Sequence, residues 1–249
     1  MLKPNEGKKL EIDVYEKSYN RFPIRTEVFK NGDPYVQKIC EYVCTFLKDP
    51  NQIIAKKNTN WFIIISEKII AISQGRSYLL TDIKPRKLAY LLSKYVKKTP
   101  HGIGLGSAYT MELALREVGE LRIIFAAIIS VISKFLGFSG VFYLIAGREV
   151  ACIDGPTHYS LYPSNVSAKL GPKNPNKVCE EIYENLKKEL HPDLFMKLKG
   201  VVIIDANDLG RVVLGIKSEY KTRFFEQVMR DNPMGQGVEQ TPIVIAVEK

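Results

Sequence analysis

The sequence predicts a mixed α/β fold in which helices pack on β-sheets, with no transmembrane segment. Short uninterrupted apolar runs, typical of strands buried on both faces, occur at residues 61–65, 201–204 and 243–247. Longer segments with apolar residues three and four positions apart, typical of amphipathic helices, are interspersed with these runs. Because both kinds of segment are mixed along the chain and no internal repeat occurs, the α/β and α+β classes both fit the pattern.

The first part of the chain contains one weak strand pattern and three helix patterns. Residues 23–29 alternate weakly and predict a strand. Asp33 as N-cap and Pro34 at the first helical position predict a helix whose apolar face comprises Val36, Ile39, Cys40, Val43 and Leu47. Residues 84–97 are amphipathic and predict a second helix, and Thr110 is the predicted N-cap of a third, longer one.

The segment 121–147 is very apolar. Arg122, Lys134 and several glycines interrupt it, so its continuous apolar pieces are shorter than the roughly 20 residues that a membrane span needs. The pattern therefore predicts a buried helix followed by strands at 141–146 and 149–153, and not a membrane anchor.

The last part of the chain repeats the mixture of helices and strands. Asn174 and Pro175 predict the start of a helix whose core face comprises Val178, Cys179, Ile182, Leu186 and Leu190. A buried strand at 201–204 follows, residues 221–229 predict a short helix, and a strand is predicted at 243–247.

Composition indicates a globular protein with a preference for anionic partners. The 249 residues are 45% hydrophobic, and the mean hydropathy is −0.09. The formal net charge of +9 favours partners such as nucleotide phosphates, phosphorylated small molecules, nucleic acid or an acidic membrane surface. A solvated basic surface is the alternative explanation, because the lysines and arginines are scattered and form no long block.

The four cysteines are Cys40, Cys44, Cys152 and Cys179. Cys40 and Cys44 share one helix face, but no histidine or second close cysteine pair accompanies them, so buried reduced thiols are favoured over a zinc site. Reduced thiols indicate a reducing compartment. Since the first residues also contain no apolar signal core, a cytoplasmic location is expected.

A glycine-rich loop at residues 231–242 is the most informative local feature. Gly235 and Gly237 flank Gln236, and Glu239 follows closely. Glycines allow backbone N–H groups to approach an anion, while Gln236 and Glu239 offer oxygen ligands for a hard divalent cation. The loop therefore suits a nucleotide phosphate with its metal ion. On spacing alone, a simple turn before the last strand is the more common explanation.

Polar residues also follow other apolar segments. Asp205 ends the run 201–204, where a carboxylate can hold a metal ion; an Asx-turn is an equally good explanation. Asp154 begins a long polar loop that continues to Asn165. No local pairing of a nucleophile with a histidine base is apparent. Carboxylates, amides and glycines therefore favour metal-assisted handling of phosphate over a covalent nucleophile.

Four blocks of the sequence together resemble the coenzyme F420: L-glutamate ligases, the gamma-glutamyl ligase family. In chain order they are residues 23–26 with Gly32 and Asp33, residues 63–76, residues 202–207 and residues 234–242. The last block, Met-Gly-Gln-Gly followed by Glu-Gln-Thr-Pro, is quite specific to the family, whereas the first is not. The resemblance extends from about residue 22 to residue 242 and the strand that follows it.

The resemblance implies a fold, an activity and a set of partners. Members of that family have mixed α/β sheets with packed helices and work as dimers. They join L-glutamate to a carboxylate of a deazaflavin precursor with GTP and two divalent cations. We therefore expect residues 1–249 to form one ligase-like catalytic region, with two lobes as an option whose boundary the sequence does not show. The expected partners are GTP, L-glutamate, a phosphorylated small-molecule acceptor, Mg²⁺ or Mn²⁺, and a second copy in a homodimer; nucleic acid and membranes are not expected.

The resemblance also implies roles for individual residues. Asp154 and Asp205 are the expected catalytic residues and, with Gln236, the expected metal ligands. Gln236 stands where family members usually have a metal-binding glutamate. The expected nucleotide-binding residues are Arg25, Lys68, Asn165, Met234, Gly235, Gly237 and Glu239, with the Arg25 and Lys68 side chains near phosphates.

Several departures from the family pattern bear on activity. Ala206 stands where a threonine commonly follows the metal-binding aspartate, and Ile72 stands where a lysine is common. An insertion separates Asp154 from Asn165, which lie close together in sequence in the family. Segment 101–147 differs most and is expected to shape the acceptor pocket. The departures at Ala206 and Ile72 favour an alternative, non-catalytic binding of a nucleotide or anion on the same scaffold, whereas Asp205 and the Gly235-Gln236-Gly237 loop oppose it. Nucleic-acid binding, motivated only by the net charge, is the weakest alternative.

Overall fold

The computed structural model describes residues 9–49, 59–96, 104–138, 140–156, 162–206, 210–235 and 237–249. The chain divides into two compact units: Met1–Gln74 with Pro172–Lys249, and Gly75–Gly171. Both units combine helices with β-sheet, which confirms the predicted mixed α/β class. Among the described residues, no helix has the length and apolarity that crossing a membrane requires.

The first unit contains a six-stranded sheet. Its strands are β1 (Glu11–Val14), β2 (Lys17–Ile24), β3 (Trp61–Ser66), β6 (Leu198–Ala206), β7 (Arg211–Ser218) and β8 (Ile243–Glu248). The strand order is β1-β2-β8-β3-β6-β7. Only β3 and β6 are parallel neighbours; the other described pairs in this sheet are antiparallel. The last strand of the described chain therefore lies in the interior of the sheet.

Helices cover both faces of this sheet. The helices of the unit are α1 (Tyr35–Lys48), α2 (Glu67–Ser73), α8 (Pro175–Glu189), α9 (Pro192–Met196) and α10 (Thr222–Val228). Ile63 and Ile65 of β3 pack in the cluster that contains the apolar faces of α1 and α8. Phe62 and Ile64 pack in the opposite cluster with α10. The uninterrupted apolar run of β3 is thus explained by burial on both faces.

The predicted strands at 61–65, 201–204 and 243–247 and the helices starting near residues 34, 175 and 221 are confirmed. The first predicted strand is displaced, because β2 ends at Ile24. The predicted N-cap Asp33 is wrong: Pro34 precedes the first helical residue and no side chain caps α1. The Asp33 carboxylate instead accepts a hydrogen bond from the Lys30 N–H at 2.8 Å, which closes the preceding turn.

The second unit is mainly helical. Its elements are β4 (Ser77–Leu79), a 3₁₀ turn at Leu80–Asp82, α3 (Lys87–Ser93), α4 (Ala108–Val118), α5 (Glu120–Phe135), α6 (Val141–Ala146), α7 (Arg148–Ala151) and β5 (Ser167–Lys169). β4 and β5 form an antiparallel pair. The buried Glu112 of α4 accepts hydrogen bonds from Arg86 and Arg116, which lower the pKa of its carboxyl group although burial opposes this shift.

Two sequence predictions fail in this unit. The segments at 141–146 and 149–153 are not strands; they form the short helices α6 and α7 around Gly147, whose φ of +102° ends the first helix. A short apolar run has too few residues for its periodicity to distinguish a strand from a helix. The N-cap of α4 is Ser107 and not Thr110, since the Ser107 hydroxyl accepts the Thr110 N–H at 3.1 Å.

The predicted burial of the helix after residue 120 is also wrong. In α5, only Ile123 and Ala126 are buried. Leu121, Phe125 and Phe135 are among the large apolar side chains that are more than half exposed. Only part of the apolar surface of this helix is therefore buried within the described chain.

The predicted burial of the cysteine pair is confirmed. Cys40 and Cys44 lie in the core between α1 and α8, and Cys179 lies on α8 in the same cluster. Burial raises the pKa of Cys40 and of Cys179 to about 12 and that of Cys44 to about 11. These three thiols remain protonated near neutral pH and act as small apolar side chains.

A buried arginine ties β2 to the segment that follows α10. Arg21 is completely buried, and its Nη2 atom donates to Asp231 Oδ2 at 2.9 Å while Nη1 donates to the same carboxylate. Nη1 also donates to the Val228 carbonyl oxygen at 2.9 Å. Burial raises the pKa of Asp231, but the hydrogen bonds and charge of Arg21 outweigh it and hold that pKa below its usual 3.8.

We expect substitution Gly215→Ala to destabilise the first unit. A Cβ atom at Gly215 would lie 2.5 Å from the backbone carbon and oxygen of Pro175, at the start of α8. Because backbone atoms cannot move aside cheaply, the free energy of unfolding should fall by about 1–3 kcal/mol. Gly210→Ala is the matched control, since no atom lies within 4 Å of its added Cβ. Equal urea midpoints for the two variants would contradict the close packing of β7 on α8.

We expect Asp231→Asn to reduce the loss of stability in acid. A carboxyl group with a lowered folded-state pKa stabilises the protein above its unfolded-state pKa, and this stabilisation is lost as the pH falls through the folded-state value. The wild-type free energy of unfolding should therefore fall more steeply than that of the variant between about pH 5 and pH 2. The control is Asp193→Asn, on an exposed carboxylate of α9. Parallel pH profiles for wild type and Asp231→Asn would refute the assignment.

Candidate functional site

Three strand ends and one strand start meet at a single edge of the six-stranded sheet. Ile24 at the end of β2 and Ile65 near the end of β3 both pair with Ile243, the first residue of β8. On the other side of β3, Ser66 pairs with Ile204 near the end of the parallel strand β6. The ends of β2, β3 and β6 and the start of β8 therefore lie side by side.

This edge brings together predicted site residues from four separate parts of the sequence. Arg25 follows β2 directly and is exposed, and Lys68 lies half-buried in the first turn of α2. Asp205 is the penultimate residue of β6 and is half-buried. The glycine loop lies at the same edge, because it leads directly into Ile243, the first residue of β8. Two cationic side chains and one carboxylate thus share an edge with a glycine-rich backbone.

Backbone hydrogen bonds hold the glycine loop against the ends of its neighbours. The Thr26 N–H donates to the Gln240 carbonyl oxygen at 2.9 Å, next to Arg25. The Ser66 N–H donates to the Pro242 carbonyl oxygen at 2.8 Å, two residues before Lys68. The loop is therefore fixed to both flanking segments just beyond the last pairs of the sheet.

Side chains within the loop brace it further. Asn232 adopts a φ of 44° and donates from Nδ2 to the Gly235 carbonyl oxygen at 3.2 Å, while the Gly235 N–H donates to the Asn232 carbonyl oxygen at the same distance. Thr241 Oγ1 donates to the Met234 carbonyl oxygen at 2.7 Å. Gly235 has a φ of 75°, which favours glycine there. Hydrogen bonds therefore brace the described part of the loop.

The other predicted loop residues occupy distinct positions. The Met234 side chain is buried in the core cluster that contains α10. The Glu239 carboxylate accepts a hydrogen bond from the Gly237 N–H at 2.7 Å, so it folds back on the loop itself. Gln236 lies outside the described residues. Nucleotide contacts by Met234, Gly237 and Glu239 stay predictions.

Asp205 is the carboxylate at this edge that is best placed for a ligand. Within the described part of the chain, its side chain makes no hydrogen bond and no ion pair. A half-buried carboxylate that forms no ion pair with a described residue is suited to bind a metal cation, because burial without a partner is otherwise costly. Among the residues that the structure describes, no three histidine, cysteine or acidic side chains form a metal-binding cluster. Additional oxygen ligands would therefore have to join Asp205.

Asp154 and Asn165 belong to the second unit. The Asp154 backbone forms a β-bridge with Lys169, with N···O distances of 2.9 and 2.8 Å, and its Oδ1 atom accepts the Gly155 N–H at 3.0 Å. The side-chain oxygen of Asn165 is enclosed, yet it has no hydrogen-bond partner among the described residues. An enclosed acceptor of this kind is expected to receive a hydrogen bond from water or a ligand.

Sequence patterns did not indicate the residues that hold the loop in place. Asn232, Thr241 and the Arg21–Asp231 pair make the contacts that fix its two ends. Asparagine tolerates positive φ better than most residues, but Pro233 after Asn232 favours an extended backbone, so the sequence around Asn232 gives no clear signal for its left-handed conformation. No local signal in the sequence indicates that Arg21 reaches a residue 210 positions away.

Comparisons with known proteins identify the family of this chain. The chain is 26% identical over 195 residues to an uncharacterized protein of Methanocaldococcus jannaschii, an alignment that covers 77% of this chain and 59% of the relative. The chain thus spans about three fifths of the length of that relative. The F420-0:gamma-glutamyl ligase family matches residues 23–211, which include Arg25, Lys68 and Asp205 and end before the glycine loop. Since this match covers most of the sequence, the chain belongs to the F420-0:gamma-glutamyl ligase family.

Proposed function

We propose that this protein is a GTP- and divalent-cation-dependent ligase that joins the amino group of L-glutamate to a carboxylate of a phosphorylated, deazaflavin-type acceptor. Family membership supports a ligase. The observation that carries the proposal is the convergence of Arg25, Lys68, Asp205 and the glycine loop at one sheet edge. These parts are remote in sequence, so their convergence supports a common ligand.

The chemistry of this edge suits a nucleotide polyphosphate. The side chains of Arg25 and Lys68 supply positive charge on the two segments that flank the loop. Glycine at 235 and 237 lets phosphate oxygens approach the loop backbone without a Cβ atom in the way. In the described structure the N–H groups of Gly235 and Gly237 donate to the Asn232 carbonyl oxygen and the Glu239 carboxylate, so a phosphate that binds these groups would have to replace those acceptors.

The residues present fit divalent cations. Asp205 offers a half-buried carboxylate that has no partner in the described chain. Gln236 and phosphate oxygens of the nucleotide are the further ligands that we propose at Asp205, and Asp154 is proposed as a metal ligand of the second unit. When bound, Mg²⁺ or Mn²⁺ would neutralise negative charge on the phosphates.

The proposed reaction has two chemical steps. A carboxylate oxygen of the acceptor attacks the terminal phosphorus of GTP. The bond between this phosphorus and the bridging oxygen breaks, GDP leaves, and the acceptor carries an acyl phosphate. The amine nitrogen of L-glutamate then attacks the acyl carbon, phosphate leaves, and the nitrogen loses a proton to give the amide. The side chains of Arg25 and Lys68 would orient the phosphates, and positioning would supply much of the rate enhancement.

A second candidate function is the binding of a nucleotide or anion without catalysis. Two observations favour it. Ile72 is buried in α2 at a position where family members commonly carry a lysine. The positive charge of that lysine is therefore absent here. Ala206 follows Asp205 without the hydroxyl group of the usual threonine. Both candidates predict nucleotide binding, and only the ligase predicts turnover.

We expect Asp205→Asn to abolish most of the GTP-dependent ligation while the fold is retained. The amide keeps the size of the side chain but removes the negative charge that would bind a cation, so kcat should fall by at least about 100-fold. The measurement is GDP release coupled to glutamate incorporation, with Mg²⁺ or Mn²⁺ present. The matched control, Asp193→Asn, removes an exposed carboxylate elsewhere in the same unit and should retain full activity. Unchanged turnover in Asp205→Asn would reject Asp205 as a metal ligand.

We expect isothermal titration calorimetry to show that GTP binds more tightly with Mg²⁺ or Mn²⁺ than without them, and more tightly than ATP. Lys68→Met keeps the apolar length of the side chain but removes its charge, and it should weaken GTP binding by about tenfold. Lys177→Met, on an exposed lysine of α8, is the control. GTP binding without ligation of any acceptor would support the second candidate. The absence of nucleotide binding under every metal condition would reject both.

A further inference from the structure

The small sheet of the second unit has one apolar face and one polar face. Ala168 in β5 and Leu170 just after it belong to the core cluster of this unit. Because side chains alternate along a strand, Ser167 and Lys169 lie on the opposite face. On that face the Ser77 hydroxyl of β4 donates to Ser167 Oγ at 3.0 Å. A sheet with this alternation normally presents its polar face to water.

The polar face of this sheet is nevertheless buried. Ser167 is 3% exposed and Lys169 is 7% exposed. In the described part of the chain, Lys169 is the one lysine that is buried. Burial of an ammonium group is costly unless negative charge compensates it. Compensating negative charge is therefore expected around Lys169 in the working protein.

Asp154 lies next to Lys169 in this sheet. The backbones of the two residues exchange both hydrogen bonds, at 2.9 and 2.8 Å, so the residues are directly opposite each other. Opposite residues have their side chains on the same face, with Cβ atoms about 5 Å apart. On the other side of Lys169, the opposite residue is Ser77 of β4. Asp154, Lys169 and Ser77 therefore form a row across three segments of the chain.

The carboxylate and the ammonium group of this row do not pair with each other in the described structure. Asp154 Oδ1 accepts the Gly155 N–H at 3.0 Å, and no ion pair joins Asp154 to Lys169. The two groups are nevertheless complementary to an ion pair from outside. A carboxylate is a ligand that a divalent cation prefers, and an ammonium group binds the oxyanion that accompanies such a cation.

We propose that Lys169 is a substrate-binding residue whose ammonium group holds an oxyanion that a divalent cation on Asp154 binds at the same time. The oxyanion belongs to a substrate of the ligase: it is the phosphoryl group that is transferred, or a carboxylate of the acceptor or of L-glutamate. This inference rests on the proposed function, because it takes Asp154 as the metal ligand of the second unit.

The arrangement couples the binding of the cation to the binding of the oxyanion. Without an oxyanion, the charge of Lys169 repels a divalent cation on Asp154, because the two residues are neighbours in the sheet. With an oxyanion between them, both positive charges are attracted to its negative charge. The oxyanion should therefore tighten binding of the cation, and the cation should tighten binding of the oxyanion by the same factor.

The first test is Mn²⁺ binding to the full chain, measured by electron paramagnetic resonance with and without inorganic phosphate. Lys169→Met removes the charge and keeps most of the length of the side chain. It should tighten Mn²⁺ binding about tenfold without phosphate, and it should remove most of the further tightening that phosphate produces in wild type. A purely structural role of Lys169 does not predict effects of opposite sign in the two conditions. Lys94→Met, on an exposed lysine of the same unit, is the matched control and should behave as wild type.

The second test is a double-mutant cycle with Asp154→Asn. In this background Lys169→Met should no longer change Mn²⁺ binding, because the carboxylate that holds the cation near Lys169 is absent. Asp154→Asn alone should tighten phosphate binding about tenfold in the absence of metal, since it removes a negative charge beside Lys169. Calorimetry measures this effect in a chain that retains Lys169, so the proposal is tested even when Lys169→Met does not fold. Circular dichroism and urea unfolding check the fold of each variant.

The third test distinguishes the sources of the oxyanion. L-glutamate replaces inorganic phosphate in the same Mn²⁺ titrations of wild type and Lys169→Met. Coupling that depends on Lys169 with phosphate assigns the site to the phosphoryl group, and such coupling with L-glutamate assigns it to a carboxylate.

Three results would overturn the proposal. They are an effect of Lys169→Met on Mn²⁺ binding no larger than that of Lys94→Met, an effect of Lys169→Met that persists in the Asp154→Asn background, and a wild type in which neither anion tightens Mn²⁺ binding. None of these measurements uses GTP turnover. A chain that shows the coupling without ligation rejects the ligase activity alone, and a chain that ligates without the coupling rejects this inference alone.

Discussion

The register of β8 between β2 and β3 is the constraint on which the candidate site depends. Ile243 pairs with Ile24 on one side and with Ile65 on the other. This double pairing brings the loop before β8 between the ends of two strands that are separated by about 40 residues in sequence. A shift of β8 by one residue would exchange the two faces of the strand, since side chains alternate. The buried residues Val244 and Ile245 belong to opposite core clusters, so the core itself opposes that shift.

The loop that β8 positions is held at several points. The Arg21–Asp231 pair fixes the segment that enters it, and backbone bonds from Thr26 and Ser66 fix its exit. Between them Asn232 and Thr241 close the turn. These contacts brace the described part of the loop, and bracing of this kind lowers the entropic cost of binding a ligand.

The second unit presents a different physical constraint. Its core contains Ile123 and Ala126 of α5 but leaves larger apolar residues of this helix, such as Leu121, Phe125 and Phe135, in solvent. The core of the unit therefore does not account for most of the apolar surface of α5.

The sequence by itself determined the class of fold, the buried central strands and the amphipathic helices α1, α8 and α10, because uninterrupted apolar runs and a period near 3.6 residues are local signals. It also identified Asp205, Lys68 and the glycine loop as candidates. Only the tertiary structure decided that these parts meet at one edge, because the pairing of β8 with β2 and β3 joins segments that are distant in sequence. It also decided that 141–146 forms a helix and that α5 is exposed. A short apolar run fits either secondary structure, and the exposure of a residue depends on neighbours that are distant in sequence.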